Sequence, residues 1–288
     1  MKFCTVVDNH SGTSFDSRKM VRRALGPQHH YLSEHGFSLL VETDAGKKIL
    51  IDAGASEMVF RNNLELLGYR PQDIDLVFIT HSHYDHVGGL KYLIENGVPV
   101  YTHPKAFSGK KFVAVPDGTQ RDISAGDDVV QALGRAKLNL ISTPTEISPG
   151  VKVSGEIPRS MPFEVETKFF KEENGHIVLD NMTEEMCLMV SSKQGLVILT
   201  GCGHPGVVNM VQLAKKQFDK RVYMVAGGFH LSANVPNNER ILRTMDALKN
   251  FGVERIAPMH CTGFNAQKML SDRFVNMDML WSGSEIEI

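Results

Sequence analysis

Cysteine is scarce in this chain: there are four in 288 residues, Cys4, Cys187, Cys202 and Cys261, and no C-x-x-C pair. Such spacing argues against a disulfide framework and predicts reduced thiols in a cytoplasmic protein. Long apolar runs are also missing. No stretch approaches the roughly 20 residues that a membrane-spanning helix needs, so no membrane partner is expected. The opening "MKFCTVVDNH" lacks the apolar core of a secretory leader, which predicts no export. Net charge is small, −2 from 31 basic and 33 acidic residues, so no basic field recruits nucleic acid or an anionic membrane. The local basic run "SRKMVRR" (Ser17 to Arg23) reads as a solvated face. No low-complexity linker divides the chain, and 42% hydrophobic residues is ordinary for a globular protein. One domain over residues 1–288 is expected, built from halves of about 1–148 and 149–288.

Apolar and β-branched segments between turn signals predict strands at Phe37–Glu42, Lys48–Asp52, Leu76–Thr80, Val98–Thr102, Met186–Ser191, Leu196–Thr200, Val222–Ala226 and Arg255–Met259. Helical patterns lie between them at Ser56–Leu67, Val87–Asn96, Val207–Phe218, Asn237–Asn250 and Ala266–Arg273. The two halves run in parallel. "GKKILIDAG", a helix, "DLVFITHSH" and "VPVYTHP" are matched by "QGLVILTGCGH", a helix, "VYMVAGGFH" and "RIAPMHCTG". A duplicated unit of this kind predicts an α/β fold of two facing sheets with helices outside, its polar strand ends converging on one edge. The stretch Ala106 to Ile147 reads as a turn-rich surface excursion near that edge, and Pro149 to Asp180 as polar and irregular.

The chemistry concentrates in "LVFITHSHYDHVGGL", where His81, His83, Asp85 and His86 crowd into six residues after an apolar strand. Burying three imidazoles and a carboxylate together is costly unless something positive holds them. A divalent cation does this, because neutral imidazole nitrogen and carboxylate oxygen are its usual ligands. His81 and His83, two apart, point the same way in an extended chain. Asp85 and His86 lie past the strand and face a second position, with Gly88 and Gly89 permitting close backbone packing. Six residues cannot encircle the ions alone. The second half offers Cys202, His204, His230 and His260 at its strand ends. His204 and His260 are the favoured ligands. His230 reads equally as a ligand or a substrate contact, and Cys202 as a ligand or a small buried residue. Asp52 either ligates an ion or orients a ligand imidazole. The isolated His10, His29, His30, His103 and His176 read as surface or structural.

With T-H-x-H-x-D-H-x-G-G at Thr80–Gly89, the chain resembles the metallo-β-lactamase superfamily from Phe37 through Gly263. That resemblance implies a four-layer αββα sandwich with one or two metal ions at one edge. It makes Asp52 the first-strand aspartate, His81, His83, Asp85 and His86 the central cluster, and His260 the late histidine. The sequence departs from the family pattern twice. "SGEIPRSMPFE" (Ser154 to Glu164) stands where a third-motif histidine is usual, and Cys202 replaces the bridging aspartate, with His204 placed to take over one of these jobs. The segments "EHGFSLL", "GEIPR", "TGCGHPG", "GGFHL" and "HCTG" further resemble one branch, which includes the archaeal-type 7,8-dihydropterin-6-methyl-4-(β-D-ribofuranosyl)aminobenzene 5′-phosphate synthases.

On these grounds His81, His83 and His204 are expected to hold one ion and Asp85, His86 and His260 a second. Zinc leads, and manganese and iron also fit. A divalent metal lowers the pKa of its bound water from 15.7 to about 7, and Asp85 is expected to orient the resulting nucleophile as the catalytic carboxylate. Arg159 in "EIPR" is the candidate anion contact, its fork suiting phosphate or carboxylate. Glu34 and His35 either line the entrance or cap a strand. The first functional expectation is a metal-dependent hydrolase of an ester, phosphoester or amide bond. The alternatives are a transferase joining a dihydropterin diphosphate to an aminobenzene ribosyl phosphate, dihydropteroate-synthase-like in kind, a non-catalytic member of the fold, and an iron redox protein. A small-molecule substrate, phosphorylated or pterin-like, is the expected partner. Trp281 and Met279 are candidates for a homo-oligomer contact, with core packing as the competing use.

Overall fold

The computed structural model describes residues 1–12, 21–23, 30–231 and 238–288. His29 and most of the basic run at Ser17 to Arg23 lie outside the described residues. The chain opens with β1 (Lys2–Val7) and β2 (Val21–Arg23), then the hairpin of β3 (Ser38–Glu42) and β4 (Lys48–Ile51). Next come α1 (Glu57–Leu66), β5 (Leu76–Phe78), the short α2 (Tyr84–Val87), α3 (Leu90–Glu95) and β6 (Val100–Thr102). An intervening region holds β7 (Lys111–Ala114), β8 (Gln120–Asp122), α4 (Asp127–Leu133) and β9 (Leu138–Leu140). The second half begins with β10 (Thr145–Ser148) and β11 (Val151–Val153), followed by β12 (Phe169–Glu173) and β13 (His176–Leu179). It continues through the hairpin β14 (Leu188–Ser191) and β15 (Leu196–Thr200), then α5 (Val207–Gln217), β16 (Val222–Gly228), α6 (Glu239–Asn250), β17 (Arg255–Met259), α7 (Phe264–Arg273) and β18 (Ser284–Glu287).

These strands form an eight-stranded sheet in the order β2-β18-β1-β3-β4-β5-β6-β9 and a six-stranded sheet in the order β10-β11-β14-β15-β16-β17. In each, an antiparallel hairpin leads into parallel strands, β4-β5-β6 in one and β15-β16-β17 in the other. The internal repeat is therefore visible in the topology. The division near 148 is not clean, because β10 already pairs in the second sheet and β18 returns to the first.

Alternation builds the layers. Leu39 and Val41, with Ile49 and Ile51, meet Val197 and Leu199 between the sheets. Leu40 and Leu50 turn outward onto Val59, Phe60 and Leu64 of α1, and Ile198 onto Val208 and Val211 of α5. Strands buried on both faces read as continuous apolar runs, which explains their prominence in the sequence. The result is the four-layer αββα sandwich.

The intervening segments correct the expectation of an irregular excursion. They form a third, four-stranded antiparallel sheet in the order β13-β12-β7-β8. It is pinned by Lys111, almost fully buried, whose Nζ donates to Asp180 at 2.7 Å and to Glu184. The helix expected at Val87–Asn96 is likewise two pieces, α2 and α3, broken at Gly88–Gly89. A Cβ on Gly88 would stand 2.2 Å from the Ala55 carbonyl, and one on Gly89 would stand 2.5 Å from the Phe60 ring. Both glycines let the chain pass under the start of α1. Met279 packs partly buried against the second outer core.

Candidate metal centre

The polar strand ends meet at one edge. His81, His83 and Asp85 follow β5, Cys202 and His204 follow β15, and His260 ends β17. His81, His83 and His204 each offer a ligand atom within 4.8 Å of the others, and so do Asp85, His86, Cys202 and His260. His81 Nε2 and His83 Nδ1 are 3.1 Å apart, close to the spacing of about 3.3 Å that two nitrogens take around a tetrahedral zinc. In the other group, Asp85 Oδ2 lies 3.2 Å from His260 Nε2 and 3.7 Å from His86 Nε2. His86 Nε2 is 3.1 Å from the Cys202 sulfur.

The outward-facing ring nitrogens are held, and their partners assign the tautomers. His81 Nδ1 contacts the Thr80 hydroxyl at 3.0 Å, His86 Nδ1 contacts Asp52 at 2.7 Å, His204 Nδ1 contacts Glu185 at 2.5 Å and His260 Nδ1 contacts Asn9 at 3.1 Å. The Thr80 hydroxyl spends its own proton on Asp52, so it accepts from His81. In His81, His204 and His260, Nδ1 then carries a proton and Nε2 turns a lone pair inward, and His86 does the same once neutral. Lone pairs converging in a buried space fit a cation, and the buried Nε2 of His260 faces the Asp85 carboxylate at 3.2 Å. Burial pushes His81, His83, His204 and His260 below the ordinary histidine range, toward the neutral ligand form. His86 differs. Although burial opposes it, the charges of Asp85 and Asp52 raise it to about 9. Asp85 is itself held well below the carboxylate range by His86 and His260 despite burial.

Asp52 lies against both the central imidazoles and Thr80, accepting from the Thr80 amide at 2.7 Å. His230 stands outside both of these groups, 4.5 Å from His204 ring to ring, and forms a third group of the same spacing with Cys202 and His204. Glu34 caps α1, accepting from the amides of Ala55 and Ser56 at 2.8 and 2.9 Å. His35 is at the entrance, stacked on His260 at 4.9 Å with Nε2 3.4 Å from Asp85. Arg159 is held against the connection between β13 and β14. Its Nη2 donates to the carbonyls of Asn181 and Met182, while its buried Nη1 has no partner. His103, read as structural, is buried with Nε2 3.2 Å from Glu156.

Above the centre is a cleft of about 230 Å³ lined by Tyr84, Arg121, Lys168, Phe169 and His230 among others. The third sheet supplies its wall: Phe169 of β12 packs 4.6 Å from the His204 ring and 5.6 Å from that of His83. A larger polar groove of about 850 Å³ touches this region through Ser82 and Tyr84, but no candidate ligand lines it. Sequence reasoning missed Asp8, whose Oδ1 accepts from the His260 amide at 2.8 Å, as well as Asn9, Glu185, Arg121, Lys168 and Phe169. None lies within a recognisable local pattern.

Comparison with known proteins agrees with this architecture. The family described as the metallo-beta-lactamase superfamily matches residues 34–160. The chain is 36% identical to the 7,8-dihydropterin-6-methyl-4-(beta-D-ribofuranosyl)-aminobenzene-5'-phosphate synthase of Methanocaldococcus jannaschii, over 85% of this chain and 86% of that protein. It is 29% identical to Tm1679, described as a metal-dependent hydrolase of the beta-lactamase superfamily, with a TM-score of 0.82 over 100% of this chain and 99% of the other. Zinc-bound PqqB from Methylobacterium extorquens shares the fold at 13% identity and a TM-score of 0.55, over the full length of both chains. The chain belongs to the metallo-β-lactamase superfamily. Within it, the likeness to the M. jannaschii protein is to an aminobenzene-phosphate synthase and lends no support to a dihydropteroate-synthase-like label.

Proposed function

We propose that this protein is a metal-dependent transferase that joins a dihydropterin diphosphate to an aminobenzene ribosyl phosphate with release of pyrophosphate. The observation that carries the reading is the cleft: aromatic Phe169 and Tyr84 and cationic Lys168 and Arg121 face the two ligand groups. That combination suits a flat ring bearing phosphate. The similarity to the M. jannaschii synthase supports the same chemistry. In this reading His81, His83 and His204 hold one divalent ion, and Asp85, His86, His260 and Cys202 hold the other. Imidazole and thiolate donors favour zinc over manganese. A bound divalent cation would supply Lewis-acid polarisation of a phosphoryl oxygen and charge neutralisation at a diphosphate. Phe169 stacks the ring, while Lys168 and Arg121 neutralise the phosphates. His83, binding through Nδ1, leaves its buried and unpartnered Nε2 for a substrate acceptor. Asp85, held anionic, orients the entering group.

Hydrolysis is the second reading, favoured by the full-length likeness to Tm1679. Incubating the purified protein with a dihydropterin diphosphate, with and without the aminobenzene acceptor, separates the two. Pyrophosphate released only with acceptor supports transfer. Release without acceptor supports hydrolysis, and no release under either condition removes the pterin substrate. His83→Ala should abolish turnover and lower bound metal together by elemental analysis. A metal-replete, fully active variant would overturn the ligand assignment.

A further inference from the structure

A second chamber of about 190 Å³ adjoins the cleft and is lined by Glu166, Lys168, His230, Leu231, Asn238, Arg240 and Ile241. The two spaces share Lys168 and His230 as a common wall. Two groups in this wall have unmet hydrogen-bonding capacity. The buried Nδ1 of His230 and the buried Nε of Arg240 have no partner, a state that costs about 1–3 kcal/mol per group unless something satisfies it. The first turn of α6 sets Arg240 in place, with the Asn238 side chain accepting from its amide at 3.0 Å. One carboxylate is present, Glu166, and Arg240 Nη1 already pairs with it. Lys168 Nζ stands 4.0 Å from Glu166, at the edge of ion-pair range. Two cations against one carboxylate leave an excess of positive charge beside unfilled donors. His230 adopts a left-handed backbone, φ +46°, strain of the kind held at ligand sites.

We propose that this chamber is a phosphate-monoester subsite, in which Lys168, Arg240 and His230 bind the terminal phosphate of a substrate whose reacting end lies over the ligand cluster. The inference rests on the reading of this chain as an enzyme of phosphorylated substrates. His230 sets the reach: its ring touches the chamber on one side and stands 4.5 Å from His204 on the other. The phosphate therefore sits about one imidazole away from the metal ligands. A tetrahedral dianion supplies the counter-charge that Lys168 and Arg240 lack beyond Glu166.

The test is calorimetric titration of the purified, full-length protein with ribose 5-phosphate, with ribose and inorganic phosphate as further arms. Ribose 5-phosphate should bind and ribose should not. Lys168→Gln and Arg240→Gln should each weaken ribose 5-phosphate about tenfold or more, as expected for loss of a charge-assisted contact. Inorganic phosphate should compete for the site. His83→Ala, altered at a metal ligand, should retain ribose 5-phosphate binding. No binding, or affinity unchanged in Lys168→Gln, overturns the subsite. So does loss of binding in His83→Ala with Lys168→Gln unaffected, which would place the phosphate on the metal. If Arg240→Gln fails to fold, Lys168→Gln decides alone. Turnover is not measured, so a failed transferase assay leaves the subsite standing, and a failed titration leaves the transferase standing.

Discussion

At the scale of single residues, the centre is made of side chains that are expensive to place. Asp52, His230 and His260 all have positive φ, 56°, 46° and 49°, a region that costs non-glycine residues of order 1–3 kcal/mol. Asp52 and His260 follow a strand directly and His230 lies two residues past one, so the strain turns a polar side chain from the strand line into the site. The T-H-x-H-x-D-H spacing was legible because its members are neighbours in sequence and share a direction in extended chain. Their supports were not. Asp8 and Asn9 reach His260 across about 250 residues, and Glu185 reaches His204 from the start of the β14 hairpin. A lone carboxylate has no spacing to read. Two predictions belong to this scale. Glu185→Gln should lower metal affinity 10–100-fold, the usual cost of losing an orienting partner, measured by chelator competition. His86, raised to about 9 by Asp85 and Asp52 against burial, must shed its proton to ligate through Nε2. Below pH 9 the folded protein carries that proton, and the Cys202 thiol, pushed up by burial, must also lose one to ligate, so apparent affinity for the ion at this position should rise about a hundredfold per pH unit from pH 6 to 8. A pH-independent affinity over that range would remove His86 from the ligand set.

At the scale of elements, legibility followed burial. β15 and β16 are buried throughout, so apolar content alone announced them. β8 is "QRD" with every residue exposed, and β12 ends in Lys171, Glu172 and Glu173. Strands with one wet face and charged ends carry no such signal, which is why these segments read as loop in the sequence. It nevertheless supplies the cleft wall through Phe169 and Arg121. The connection after β5 makes a sharper demand. An added methyl at Gly88 would meet the Ala55 carbonyl at 2.2 Å, where backbone cannot yield. Gly88→Ala should therefore destabilise the fold by about 3 kcal/mol, at the upper end for overpacking, seen as a lower urea midpoint at unchanged slope. A variant within 0.5 kcal/mol of the parent would mean that α2 and α3 can shift as a unit.

At the scale of the whole molecule, the centre is a joint. His81, His83, Asp85 and His86 belong to the eight-stranded sheet, and Cys202, His204 and His260 belong to the six-stranded one. Every ligand group proposed here draws on both. An ion in either position ties the two sheets together at one edge, where the interface consists of polar groups instead of the Leu39, Ile51 and Leu199 packing found between the sheets. His81 and His83 face each other nitrogen to nitrogen at 3.1 Å, and His86 Nε2 faces the Cys202 sulfur across the two sheets at 3.1 Å. Since the unfolded chain does not assemble these ligands, metal binding must appear as folding free energy, about 4.1 kcal/mol when free metal is 1,000-fold above Kd. Stripping the ions with a chelator should lower the melting temperature by several degrees, and zinc in excess should restore it. His83→Ala should start lower and respond less to either treatment. Calorimetry paired with elemental analysis checks this directly: a melting temperature unmoved while the metal is demonstrably gone would mean that the sheets are held by their apolar faces alone and that the ligands serve chemistry without bearing on stability.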